Sequence, residues 1–292
     1  MAQFSTKSPS TLYYIIFIHL STANKFMYNI PMRITFPEYN DETIQAAIKQ
    51  AGNIEAIAAN NLEDACYKLR NCDADAVIAG INYTTREVVL AAKNLLGMKG
   101  ETFSSCFYLK PSISSPIDIT NLQIPAARTY LLADAGVTKN PTEDRLKDIV
   151  LQTYESAIKL LDEEPRIAML SFSTKGSAED ESIDKINRVI AKVKQVKPEI
   201  IIDGELQLDA AINPRIAAKK CPDSPLEGLA NVLIVPDLNS GNILYKAFEQ
   251  IGDYTAAGPI LQGFNFPISD LSRGSTVEDV TLVIDCIKKL VN

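Results

Sequence analysis

The chain has 292 residues, 46% of them hydrophobic and 22% charged, enough apolar material for one large domain or two modest ones. A formal net charge of −7 argues against a nucleic-acid partner, which calls for a basic face, and the apolar run Leu12–Ile18 is far too short to cross a bilayer. Five scattered cysteines without CxxC spacing argue against a zinc site or disulfide framework and fit a reducing, cytoplasmic compartment. The single histidine, His19, leaves the body of the chain only carboxylates, lysines, tyrosines and thiols as bases.

In chain order, residues 1–31 read as an ill-ordered leader before a strand pattern that begins at Met32. A strand at Ile34–Phe36 precedes a helix over Asp41–Gln50. A second strand at Ile54–Ala58 precedes a helix over Asn61–Leu69, and a third at Ala76–Ala79 precedes a helix over Thr84–Leu96. Thr102–Leu109 is extended, and the Ser/Pro-rich stretch Pro111–Pro116 marks a change of unit. Then come a strand at Thr129–Ala133, a helix over Pro141–Leu161 begun by Asn140, a strand at Ile167–Phe172 and a helix over Glu179–Val196. A strand at Ile200–Asp203, a helix over Leu208–Lys219, a strand at Val232–Val235 and a helix over Gly241–Ile251 follow. Strands alternating with amphipathic helices predict an α/β fold: parallel βαβ units in a three-layer α/β/α arrangement, split into two domains with a cleft between them. The expected division is 32–110 plus 263–292 for the first domain and 111–262 for the second.

The stretch Gly258–Asp279 organises the rest. A buried strand at Ala257–Leu261 leads through a turn-rich segment to Ser272-Arg273-Gly274, directly before the last helix, Thr276–Val291. Ser275 and Glu278 fit a capping box. Arg273 thus stands just outside a helix N-terminus, where free backbone N–H groups and the positive dipole end favour an anion. A cation, a hydroxyl and a carboxylate (Arg273, Ser272, Asp279) converge there. Lys175-Gly176 lacks the spacing of a Walker A loop, and Asp203 with Glu205 is too sparse a set to predict a metal, so no metal site is expected.

Four polar blocks, Met169–Ala178, Asp203–Gln207, Pro236–Asn242 and Asp270–Gly274, together resemble the phosphate acyltransferase family, over roughly Asp75 to the C-terminus. The resemblance implies interconversion of acyl-CoA and phosphate with acyl phosphate and CoA, with acetyl as the acyl group. CoA is then a substrate, no further cofactor is needed, and the protein is a homodimer. It also implies catalytic roles for Asp279 as base for the CoA thiol, Arg273 as charge stabiliser and Ser272 beside it. Substrate contacts follow for Ser173, Thr174, Lys175, Gly176, Asn239, Tyr83 and Arg86.

The sequence departs from the family in two places. Tyr83 stands where the family has a histidine and Leu90 where it has an arginine, with Arg86 one helical turn away. Between the second and third strands the chain spends one helix where the family has a longer excursion, with Arg70 as an unaligned substitute for its arginine. A butyryl or other acyl variant and a non-catalytic CoA- or phosphate-binding relative are the alternatives.

Overall fold

The computed structural model describes residues 31–112 and 128–291. The expected leader, apart from Pro31, and most of the Pro111–Pro116 stretch lie outside the described residues. Each helix of the first half starts on a short polar side chain. Asp41 accepts from the backbone N–H groups of Thr43 and Ile44, and Asn61 from that of Asp64, which supplies acceptors to donors that a helix start leaves unpaired. The elements of that half are β1 (Met32–Phe36), α1 (Glu42–Ala51), β2 (Ile54–Ala58), α2 (Leu62–Arg70), β3 (Ala76–Ala79), α3 (Thr85–Ala91) and β4 (Ser104–Pro111).

Next come β5 (Tyr130–Ala133), α4 (Glu143–Leu160), β6 (Arg166–Leu170), α5 (Glu181–Val196), β7 (Ile201–Leu206), α6 (Leu208–Ile212), α7 (Pro214–Lys220) and β8 (Val232–Ile234). The chain closes with α8 (Leu238–Gln250), β9 (Tyr254–Gln262), β10 (Ile268–Asp270) and α9 (Val277–Val291).

Four local expectations are corrected. The helix expected over Leu208–Lys219 is two helices, because Pro214 has no N–H to continue the first. Asn213, held extended before it, caps the second through the N–H groups of Arg215 and Ile216. The α4 helix is capped by Thr142 rather than Asn140. The helix expected to Leu96 changes at Ala92 into a turn of π-helix that ends at Gly97. Finally, the turn-rich segment after β9 contains the three-residue strand β10.

The strands form one sheet in the order β2-β1-β3-β10-β9-β4-β5-β8-β6-β7. Side chains alternate across it as a two-residue period requires. On β6, Ile167 and Met169 face the layer made by α1, α4, α5 and α9, while Ala168 and Leu170 face α6, α7 and α8. On β3, Ala76 and Ile78 join the first layer, and Val77 and Ala79 pack with α2 and α3. Helices therefore cover both faces, as the α/β pattern predicts.

Strand direction decides where the loops go. β10 runs parallel to β3 and antiparallel to β9, β9 antiparallel to β4, and β4 antiparallel to β5. Within each half the neighbours β2, β1, β3 and the neighbours β5, β8, β6, β7 are parallel. It follows that β1, β2, β3 and β10 end on one edge of the sheet, and β5, β6, β7 and β8 end on the opposite edge. The order reads the same from both sides: β2-β1-β3-β10-β9 is matched by β7-β6-β8-β5-β4.

Candidate active site

The loops after β1, β3 and β10 gather on the first edge, where open α/β sheets place ligands. The Glu38 carboxylate, just past β1, accepts from the backbone N–H groups of Gly80 at 2.8 Å and of Ile81 and Tyr83 at 3.2 Å, and from that of Asn82. One carboxylate thus fills the cradle of N–H groups made by the turn after β3. Gly80 is needed in that turn: its φ is +119°, and a Cβ there would lie 2.5 Å from the Leu271 backbone and 2.6 Å from Asp270 Oδ1. Leu271 N–H in turn donates to the Ala79 carbonyl at 2.5 Å, so the turn after β3 and the start of the Ser272–Arg273 turn are tied together.

That second turn closes on itself. Ser275 N–H donates to the Ser272 carbonyl at 3.0 Å and Gly274 N–H to Ser272 Oγ at 3.4 Å. The cap of α9 falls one residue later than the sequence pattern suggests: the box is Thr276 with Asp279, not Ser275 with Glu278. Thr276 N–H and Oγ1–H both donate to Asp279 Oδ2, at 2.8 and 2.9 Å, and Asp279 N–H donates back to Thr276 Oγ1 at 3.2 Å. Asp279 is buried to 8% exposure, which its helix-start partners compensate. Arg273 is exposed and, among the described residues, makes no ion pair. An exposed guanidinium before the start of α9 can bind an anion, and the Asp279 carboxylate in its first turn can accept a proton.

Arg86 lies on the same edge, exposed in the first turn of α3, and Leu90 is 44% exposed one turn further on. Tyr83 is placed differently: its ring packs into the cluster with Leu62 and Val88, and burial pushes its hydroxyl above the usual phenol range. A cavity of about 530 Å³ opens beside this edge at the ends of β1 and β2, lined by Glu38, Tyr39, Asn40, Asn60 and Asn82.

The other candidate residues follow β6 and β8, which run opposite to β3 and β10 in the sheet. The loop after β6 is satisfied internally. Ser173 Oγ donates to Glu205 at 3.2 Å, Gly176 N–H donates to Glu205 at 2.7 Å, and Thr174 Oγ1 accepts from Gln207 N–H at 2.9 Å. Lys175 pairs with Asp203 and donates to the Gly204 carbonyl at 2.9 Å, while Asp203 Oδ2 has no partner. Asn239 is exposed in the first turn of α8, which Asp237 caps. Among the described residues no cluster of three or more His, Cys, Asp or Glu is placed to hold a metal ion.

Asp270 and Glu38 were not singled out by sequence reasoning. Asp270 belongs to the Asp270–Gly274 block, and its position directly before the Ser-Arg turn is the signal that could have found it. It is 1% exposed, and neither carboxylate oxygen has a hydrogen-bond partner. Burial, with Glu38 adding to it, pushes its carboxyl up to about 7.

The α/β sheet thus carries a cation, a hydroxyl and a carboxylate (Arg273, Ser272 and Asp279) around the start of its last helix. The model of the phosphate acetyl/butaryl transferase family matches residues 28–286, and the chain belongs to that family. A phosphate acetyltransferase of Treponema pallidum (strain Nichols) is 39% identical over 241 residues, which is 80% of this chain and 69% of that protein. One from Clostridium acetobutylicum is 51% identical over 154 residues, 53% of this chain and 46% of that protein. The chain thus spans about half and about two thirds of the lengths of these relatives. The crystal structure of a phosphotransacetylase from Streptococcus pyogenes superposes with a TM-score of 0.76 at 29% identity, covering 93% of this chain and 98% of that one.

Proposed function

We propose that the protein transfers an acetyl group between CoA and phosphate, acetyl-CoA and phosphate exchanging with acetyl phosphate and CoA, at the first edge of the sheet. The observation that carries this is the pairing of an unpaired, exposed Arg273 with an Asp279 carboxylate held by Thr276 at the start of α9. In the direction of thioester synthesis, Asp279 takes the proton of the CoA thiol, and the thiolate attacks the carbonyl carbon of acetyl phosphate. The C–S bond forms, the C–O bond to phosphate breaks, and the phosphate leaves against Arg273 and Ser272. The proton on Asp279 then passes to the departing phosphate or to water. A free thiol is mostly protonated at neutral pH, so a base within reach gains rate, and a fixed cation stabilises charge that grows on the leaving oxygen.

Arg86, on the same edge, is assigned to the anionic part of a substrate. The loop at Ser173–Gly176 and Asn239 are assigned to shaping the second half, since their polar groups are engaged there or lie on the far edge. A homodimer, a cytoplasmic location and no cofactor besides CoA as substrate go with this function. The test is to mix purified protein with acetyl phosphate and CoA and follow loss of free thiol. Turnover that disappears in Arg273→Ala supports the assignment. Tight CoA binding without turnover replaces it with a binding protein, and faster turnover of butyryl phosphate replaces acetyl with a longer acyl group.

A further inference from the structure

Asp270 has the features of a functional group without a partner. It ends β10 beside Ala79 of β3, and its neighbours are the Gly80 turn, the start of α3 and the Ser272–Arg273 turn. The groups facing it are few. Glu38, from the loop after β1, is the charged side chain that acts on it, and it disfavours a second negative charge. The Thr85 hydroxyl, from α3, approaches without reaching hydrogen-bond geometry and offsets burial only in part. From α9, the buried acid Asp279 is engaged with Thr276, and Glu278 beside it is exposed. The four N–H donors of the neighbouring Gly80 turn go to Glu38, and none donates to Asp270.

A buried carboxyl that receives no hydrogen bond is far more stable uncharged. Its place directly under the Ser272–Arg273 turn means that its ionisation adds a negative charge where an anion has to bind, in a medium that screens it poorly. We propose that Asp270 is an electrostatic gate on the anion site: uncharged, it lets a phosphate-like dianion sit on Arg273, and ionised, it expels that dianion. Asp270 does not touch the substrate on this view and acts as a positioning residue through the site's field. The inference rests on reading the Ser272–Arg273 turn as the phosphate site. No histidine lies between Pro31 and Asn292, so no imidazole in the described fold competes for a titration near neutral pH.

The experiment measures binding of inorganic sulfate, which does not titrate near neutrality and does not react, by calorimetry at pH 6 and pH 8. In the parent protein, sulfate should bind at least about fivefold more weakly at pH 8. In Asp270→Asn, which keeps shape and stays neutral, the affinity at pH 6 should be retained and the pH dependence lost. Thr85→Val, which removes the one favourable hydroxyl, should shift the parent's transition to higher pH, and it supplies the test if Asp270→Asn does not fold. The same pH dependence in Asp270→Asn as in the parent, a transition unmoved in Thr85→Val, or no sulfate binding at either pH would overturn the proposal. Because the readout needs no turnover, a gate found in a protein that does not transfer acetyl groups would retire the proposed function and leave the gate standing.

Discussion

Thr276 and Asp279 hold each other: the N–H and hydroxyl of Thr276 both donate to Asp279 Oδ2, and Asp279 N–H donates back to the threonine oxygen. Both of these threonine donors go to Oδ2, and in the proposed reaction Oδ1 is the oxygen that takes the thiol proton. Asp279→Asn keeps an acceptor for Thr276 but cannot take a proton. Its kcat should fall by about 10²–10⁴-fold with little change in KM, and raising the pH should recover part of the loss by supplying thiolate from solution. Near-parental kcat across roughly pH 6–8 would remove Asp279 from the base role.

Arg273 should act on the same transition state through a different group. Arg273→Lys keeps the charge but loses the planar fork, so kcat/KM for acetyl phosphate should drop by about tenfold or more. High pH should not restore it. The double variant with Asp279→Asn should lose less than the product of the two single losses; strict multiplication of the effects would mean that the two residues work independently.

Leu90 is exposed on α3, so Leu90→Arg should leave the melting temperature nearly unchanged, as surface substitutions rarely exceed about 0.5 kcal/mol. If a missing cation limits turnover, the substitution should raise kcat/KM for acetyl-CoA. Unchanged kinetics with an unchanged melt would show that Arg86 already supplies the charge.

Lys175 separates the two edges experimentally. Lys175→Met leaves Asp203, largely buried, without its ion-pair partner, and should cost on the order of 1–3 kcal/mol of stability. If the chemistry is carried by Arg273 and Asp279 as proposed, kcat for the folded variant should stay within about twofold of the parent. A loss of kcat by about a hundredfold in a variant with an unchanged melt would bring this loop back to the substrate.

Asp270 also predicts how stability varies with pH. Its folded-state carboxyl titrates near about 7, above the usual carboxylate range, so the folded state holds a proton that the unfolded chain releases. The stability tied to this group is fully present in acid below the unfolded value and is lost as pH rises toward about 7, after which it levels off. The loss is on the order of a few kcal/mol. Denaturant titrations of the parent and Asp270→Asn should diverge over that window, the parent falling relative to the variant. Parallel curves would show that Asp270 is not held neutral.

Much of this was legible in the sequence. The alternation of Ile167 and Met169 with Ala168 and Leu170, and the caps Asp41 and Asn61, carry local information that a reader of residues can use directly. Strand direction carries no such mark. Nothing in Val232–Ile234 or Arg166–Leu170 says that these strands run opposite to β3 and β10. The α9 cap was misread by one residue because Ser275 with Glu278 and Thr276 with Asp279 fit the same spacing. β10 was missed because three residues between Pro267 and a turn give too short a period to recognise. Asp270 escaped notice because its importance comes from what fails to reach it.

The place of β10 has a consequence for synthesis. It fills the slot between β3 and β9, yet it comes after every other strand of the described residues, with α9 behind it. While the ribosome is still at work, β3 has an open edge, and its backbone groups offer a template for pairing with another chain. A nascent chain that lacks β10 therefore carries the other strands but none of the Gly80–Leu271 junction. Truncation before β10 should yield a sticky product with β3 left open rather than a mildly weakened one.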